Sequence, residues 1–356
     1  MTSPKISKDT ASDTGWLVPD SGCRQRDLPS ALKAVREQQR PVRELGIDLR
    51  KAHLTGAELA GIDLSHCDLS GAELSDVDLS SATLVGARLV GATLFRAKLR
   101  NCNLMAADLR QAVLNQCDAE HANFGHANLT GAQLFEANLP AVTLVNAKLH
   151  GCDLRCAHLR AALLRGAELA QADLSRTDLA ACDLEQCRVD NASFTDAKLD
   201  GARVRGMAGY ETACWIGTRV PSVDFCGAYL FRRFLMDQNY LHEFRSRNRF
   251  TRIMYWLWLV TSDCGRSFVR WSVLTAFIAI GYGFLYTKVS VDFGDYQTTL
   301  SPYYYSLVTL TTLGYGDAVP ASMAAQLVAM SEALLGYVLL GGLLSILSNK
   351  LARRAD

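Results

Sequence analysis

From Leu49 to Val204 an apolar residue stands at every fifth position, and 27 of these 32 positions are leucine. Only Ala119 is not large. Two residues before each, from Leu54 on, the side chain is usually small, as at Ala52, Ala57, Cys67, Ala72, Ala82 and so on to Ala202, with Ile62, Val77 and Val142 as exceptions. A polar residue usually lies between the two. A period of five fits neither a helix nor a flat strand, so it marks an internal repeat and the leucines are not a helical stripe. After Arg205 the register shifts by one residue. Tyr210, Trp215, Val220, Phe225 and Leu230 then recur at fives, with Ala208, Ala213, Thr218, Val223 and Ala228 two before each. Upstream, Leu28–Leu45 reads as a helix that Pro41 breaks.

Beyond the repeat the pattern changes. Phe268–Tyr286 and Met323–Ser348 are almost wholly apolar, and each is near the roughly 20 residues that cross a bilayer as a helix. A short amphipathic run, Tyr303–Thr311, lies between them. The stretch Phe231–Phe250 and then Ile253–Val260 join repeat and first span. Ile253–Val260 is too short to span. Its tryptophans and tyrosine, with arginines before them, suit a helix lying at the inner membrane surface; a packing helix against the repeat is the alternative. Gly265 offers a corner into the span.

Between the apolar segments, residues 309–317 read Thr-Leu-Thr-Thr-Leu-Gly-Tyr-Gly-Asp. Thr312-Leu313-Gly314-Tyr315-Gly316, followed by Asp317, resembles the selectivity filter of potassium channels, in which four loops aim their backbone carbonyls at one axis. Such a strand needs left-handed backbone at alternate positions, which explains Gly314 and Gly316. The resemblance implies a hydroxyl ring from Thr312 and packing of Leu313 and Tyr315 away from the ion. Leu313 replaces the commoner valine, which changes packing and not the carbonyl row. Span, re-entrant pore helix, filter and span is the two-transmembrane pore of that family. Val308 stands where some bacterial members carry a glutamate that pairs with the filter aspartate, so Tyr304 or Tyr305 is expected to support Asp317, with Thr309 behind the filter. Gly336 falls where many members have a hinge glycine; Gly341 and Gly342 follow, and close helix packing is the bland alternative. Glu332 is the one acid inside a span, and an intramembrane carboxylate is functional or hydrogen-bonded. The family geometry puts it behind the filter, bonding the pore helix near Thr309.

The five-residue repeat resembles the pentapeptide-repeat family, whose pattern is A(D/N)LXX. The resemblance implies a right-handed quadrilateral β-helix with four repeats to a coil, leucine on the axis and alanine facing inward at the corner. Eight coils at the interstrand spacing make a rod roughly 38 Å long. The shifted stretch to Leu230 is then an irregular ninth coil. Its aromatic residues, and Leu28–Leu45 at the other end, are candidate caps for open sheet edges.

Charge sets the orientation. Arg245, Arg247, Arg249, Arg252, Arg266 and Arg270 precede or open the first span, and Lys350, Arg353 and Arg354 follow the second. The connection carries Lys288 but also Asp292, Asp295 and Asp317. By the positive-inside rule both termini are cytoplasmic. The start, MTSPKISKDT, lacks the apolar core of a signal peptide. Six of the eleven cysteines (Cys67, Cys102, Cys117, Cys152, Cys182 and Cys187) take the small repeat position and read as alanine substitutes. Free thiols there suit a reducing cytoplasm. No C-x-x-C pair, convergent histidine set or nucleophile–base pair is present, so the chain reads as neither zinc protein nor enzyme.

The expected organisation is an N-terminal segment over 1–45, a repeat domain over 46–231 that is regular to 205, a linker with an interfacial helix over 232–265, a pore domain over 266–350 and a tail over 351–356. The expected function is a homotetrameric potassium channel of a bacterial inner membrane. K+ is the permeant ion, there is no organic cofactor, and membrane lipid surrounds the spans. The repeat domain is a sensor, an assembly scaffold or a docking site for a cytoplasmic protein. A non-selective cation channel would lack Tyr315. A DNA-mimicking rod with the pore as anchor fits poorly, because residues 46–205 carry sixteen bases against twenty acids; no nucleic-acid partner is expected.

Overall fold

The computed structural model describes residues 28–37, 42, 48–294 and 297–355. It divides into two compact units, Met1–Tyr240 and Leu241–Asp356. Pro41, Leu45, Asp295 and the first ten residues lie outside the described residues. So do the side chains of Lys350, Arg353 and Arg354.

In the first unit the five-residue period becomes a β-helix. Parallel bridges join His53 to Glu73, Glu58 to Asp78, Asp63 to Thr83 and Asp68 to Arg88, and the same step of 20 residues continues to Arg188–Ala208. Four repeats therefore make one coil. Within a repeat, the amide of Ala52 donates to Leu49 O at 3.1 Å and closes a tight turn. The amide of Leu54 then donates to Glu73 O at 2.8 Å in the next coil. Both periodic side chains face inward, so Leu54 and Ala52 are each buried, as are their counterparts along the rod. This makes every leucine of the five-residue series part of one continuous core and leaves the intervening residue, usually polar, on the bridge, facing out. The turn requires a left-handed residue once per repeat, and every fifth residue from Lys51 to Gly206 has φ between 53 and 73°. Most of these are not glycine, so the turn stores a modest backbone cost at each corner that the buried leucine core offsets.

The six inward cysteines are buried. The thiols of Cys152 and Cys182 donate to Leu129 O and Leu159 O at 2.7 and 2.8 Å. Burial pushes the thiols of Cys102, Cys117, Cys152, Cys182 and Cys187 up to about 12, which keeps them protonated and unreactive.

The end of the rod departs from the sequence expectation in two places. The register break lies after Ala208, not after Arg205: Arg188 still bridges Ala208, whereas Ser193 bridges Cys214, a step of 21. Met207 takes the small inward position and Ala208 is exposed. The extra residue is absorbed at Gly209–Thr212, where Gly209 has φ 77° and the amide of Thr212 returns to Gly209 O. Leu230 is exposed and is no core residue. Helix α2 (Tyr229–Arg247) has already begun there, and its period buries Phe231 and Leu235 instead. Trp215 fills the last coil, stacked on Phe194 at 4.1 Å, with Phe231 edge-on at 4.7 Å. The open backbone edge is met by α2: Gln238 accepts from the amide of Trp215, and Asn239 accepts from the amide of Gly217 at 2.8 Å while donating to Trp215 O. At the other end, α1 (Leu28–Glu37) buries Leu28, Leu32 and Val35 in the same core.

In the second unit Ile253–Val260 is the middle of a longer helix, α3 (Arg249–Ser262), opened by a reciprocal cap between Asn248 and Thr251. Its exposed side carries Phe250, Ile253, Leu257 and Val260. Asp263, Cys264 and Gly265 are all left-handed, with φ of 53, 54 and 78°, and turn the chain into α4 (Phe268–Tyr286). A two-residue pairing follows, β1 (Val291–Asp292) with β2 (Val319–Pro320), and encloses α5 (Ser301–Leu310). The unit closes with α6 (Met323–Ala355). Helix α5 packs against both α4 and α6.

Candidate functional site

Helix α5 places the filter-like segment. Pro302 stands in its first turn, where a missing amide costs nothing, and Tyr305, Ser306, Val308 and Leu310 are buried. The helix ends at Leu310, and the next residues alternate in hand: Thr312, Gly314 and Gly316 have φ of 58, 53 and 76°, while Leu313 and Tyr315 do not. That alternation lets successive carbonyls turn to one side of the strand. One of its three left-handed positions, the first, falls on a threonine, so the two glycines account for only part of it. Leu313 and Tyr315 are 59% and 67% exposed on the single chain. The expected packing of both side chains away from the axis is therefore not made within the single chain.

Tyr304, not Tyr305, reaches the end of the strand, and its hydroxyl donates to Asp317 Oδ2 at 2.8 Å. Tyr305 packs edge-on against Tyr286 at 4.8 Å and Phe293 at 6.3 Å. Thr309 and Thr312 line a cavity of about 310 Å³ with Tyr315, Ala333 and Tyr337.

Glu332 of α6 is fully buried. Its Oε2 accepts from the Tyr286 hydroxyl of α4 at 2.7 Å, and its Oε1 pairs with the Ser306 hydroxyl of α5, one turn before Thr309. Ser306 also donates to Ala279 O of α4 at 2.8 Å. One carboxyl thus ties three helices. Sequence reading found the acid but not Tyr286 or Ser306, because in near-continuous apolar helices no periodicity says which face meets which.

Gly336 lies inside an unbroken α6. A Cβ there would strike the carbonyl oxygen of Leu310 at the end of α5. Gly283 and Gly342 make similar approaches, to the ring of Tyr303 and to Trp271, whose indole donates to Leu339 O at 2.8 Å. Gly341 has open space around it. These contacts are the small-residue packing expected between helices in lipid. They were legible in the sequence only as glycines in apolar runs.

Among the described residues, α4 and α6 are long and apolar enough to cross a membrane. The profile of an ion-channel family matches residues 272–353. Pentapeptide repeats match in eight copies over residues 45–71, 72–111, 102–140, 144–179 and 172–206. Two pore potassium channel b of Oryza sativa subsp. japonica is 34% identical over 85 residues, which is 24% of each chain. This chain thus spans about a quarter of that relative's length. HetL, a pentapeptide repeat protein involved in heterocyst differentiation regulation in Nostoc sp. strain PCC 7120, is 30% identical; the match covers 49% of this chain and 83% of HetL with a TM-score of 0.23. QnrB1, a plasmid-mediated fluoroquinolone resistance protein, is 21% identical over 52% of this chain and 91% of its own, with a TM-score of 0.36. Neither matched family is an enzyme family. The chain is therefore a membrane protein with two spans, in which pentapeptide repeats are joined to a two-transmembrane ion-channel domain.

Proposed function

We propose that this chain is one subunit of a homotetrameric potassium-selective channel whose right-handed quadrilateral β-helix lies in the cytoplasm. The observation that carries the reading is the alternating backbone at Thr312, Gly314 and Gly316, at the end of a short helix seated between two spans. In this reading α5 is a re-entrant pore helix, and residues 312–316 replace the hydration shell of K+ with carbonyl oxygens. Irregular backbone at membrane depth is tolerated where it lines a water path. One chain supplies one filter strand, so a ring needs four. Exposed Leu313 and Tyr315 then pack against neighbouring subunits. Tyr304 holds Asp317 at the outer mouth, in place of the glutamate that Val308 replaces.

Both termini lie on the cytoplasmic side of a bacterial inner membrane, because the arginines gather before α4 and the acids Asp292 and Asp317 lie in the connection. The exposed apolar side of α3 rests on the inner surface. Purified protein in vesicles is expected to pass rubidium and to be blocked by barium. Vesicles that release rubidium no faster than protein-free ones refute conduction.

The repeat domain is read as a scaffold or docking surface for a cytoplasmic protein and not as a sensor, since its surface is a regular polar lattice. Deleting residues 1–205 tests this: the truncated protein should still assemble and its open probability should change little. A pore locked open or shut would make the rod a gating element.

A further inference from the structure

Among the described residues the Glu332 carboxyl has no counter-charge. It is fully buried, in a helix that crosses the membrane, and among the described residues no Lys, Arg or His pairs with it. The titratable groups that interact with it are tyrosines, Tyr286 on α4 and Tyr305 on α5, and Tyr282 of α4 lies by Tyr286. Tyr282 is itself bonded to Ser331 at 3.1 Å. An unpaired carboxylate in such a place is costly.

Hydrogen counting gives an independent constraint. A serine hydroxyl has one hydrogen and can also accept. Ser306 Oγ lies 2.8 Å from Ala279 O, which can only accept, and it also pairs with Glu332 Oε1. If Ser306 gives its hydrogen to Ala279 O, its bond to Glu332 exists only when the carboxyl supplies a hydrogen. Tyr286 meanwhile donates to the other oxygen, Oε2. With one proton on Oε1 every contact has a donor and an acceptor. Without it, Ser306 faces two acceptors with one hydrogen.

We infer that Glu332 is held as a neutral carboxylic acid and that its proton completes a chain from α6 through Ser306 to α4, positioning α5. The chain runs Glu332 Oε1–H to Ser306 Oγ, then Ser306 Oγ–H to Ala279 O. Ser306 sits one turn before Thr309 on the helix that ends at the filter strand, so Glu332 is a positioning residue that never touches the ion. The consequence for conduction rests on the channel reading above; the protonation does not.

The test uses full-length protein in lipid vesicles at neutral pH. The infrared difference between wild type and Glu332→Gln should contain the carbonyl stretch of a protonated carboxylic acid, shifted in heavy water. A pair of carboxylate bands in its place overturns the inference. The amide of Glu332→Gln can donate to Ser306 and accept from Tyr286, so this variant should assemble and pass rubidium like wild type. Glu332→Ala removes the chain and should lower rubidium flux by about tenfold, the scale of one buried hydrogen bond lost. Ser306→Ala cuts the same chain without altering Glu332 and should fall in the same direction, which covers the case in which Glu332→Ala does not assemble. Flux lost in Glu332→Gln as fully as in Glu332→Ala would overturn the positioning role. If even wild type passes no rubidium, the conduction reading fails while the infrared band still decides where the proton is.

Discussion

Leu109 stands on the axis of the β-helix and is fully buried, whereas Asp108, one residue away, faces out with its side chain 28% exposed. Two substitutions at adjacent positions should therefore differ sharply. Truncating a buried leucine to alanine costs about 2–5 kcal/mol. Leu109→Asp adds an unpaired carboxylate with no donor on the axis, a penalty of several kcal/mol more. The sum is comparable with the whole stability of a domain, about 5–15 kcal/mol. Because each coil touches only its neighbours, the damage should spread from the middle coils outward. Asp108→Lys loses the pair with Arg110 Nη2 at 2.7 Å and sets a cation beside Arg88 of the neighbouring coil. A surface pair of this kind is worth about 0–1 kcal/mol. The assay is thermal melting, followed by circular dichroism, of residues 1–240, which keep the α2 side chains that meet the open edge. Asp108→Lys should melt within a few degrees of wild type, and Leu109→Asp should show no cooperative native transition. Equal melting of the two variants would refute the inward register of the five-residue repeat.

Two further outcomes follow from contacts and charges. Gly336→Ala drives a Cβ into the Leu310 carbonyl, a backbone atom that cannot give way, so it should cost about 1–3 kcal/mol and reduce survival of the proposed tetramer on heated gels. Gly341→Ala meets open space and should be neutral or slightly stabilising; equal loss in both would favour a hinge over a contact. In the rod, Arg110 and Arg155 hold the carboxyls of Asp108 and Asp153 below their ordinary 3.8, Ser70 does so for Asp68, and Arg50 brings Asp48 to about 2. A lowered folded-state value means stability that is full above 3.8 and lost as pH falls toward 2. The melting temperature of residues 1–240 should therefore drop over that window, and Asp108→Asn with Asp153→Asn should flatten the drop.

How much of this was written in the sequence differs by element. The rod was legible because one pair of inward positions recurs without interruption, so chemistry alone selects the register. Its end was not. Met207 and Ala208 are both small enough or apolar enough for the inward place, and only the turn at Gly209–Thr212 decides between them. Leu230 and Phe231 are adjacent, and a five-residue count picks the first where the helical period of α2 buries the second. The left-handed corners were hidden because most fall on residues such as Gln, Asn, His and Arg. In the second unit the filter motif and both spans stood out by composition. The contacts that orient them, Tyr304 with Asp317 and Glu332 with Ser306 and Tyr286, depend on helix rotation, which uniformly apolar segments do not encode.

The most direct test of the account is the reversal potential of purified protein in planar bilayers, with potassium on one side and an equal concentration of sodium on the other. The alternating backbone at Thr312, Gly314 and Gly316 predicts a value far toward the potassium equilibrium potential. Gly316→Ala, which places a Cβ at a φ of 76°, should abolish that preference or the current itself. A reversal potential near zero for the unaltered protein would contradict potassium selectivity.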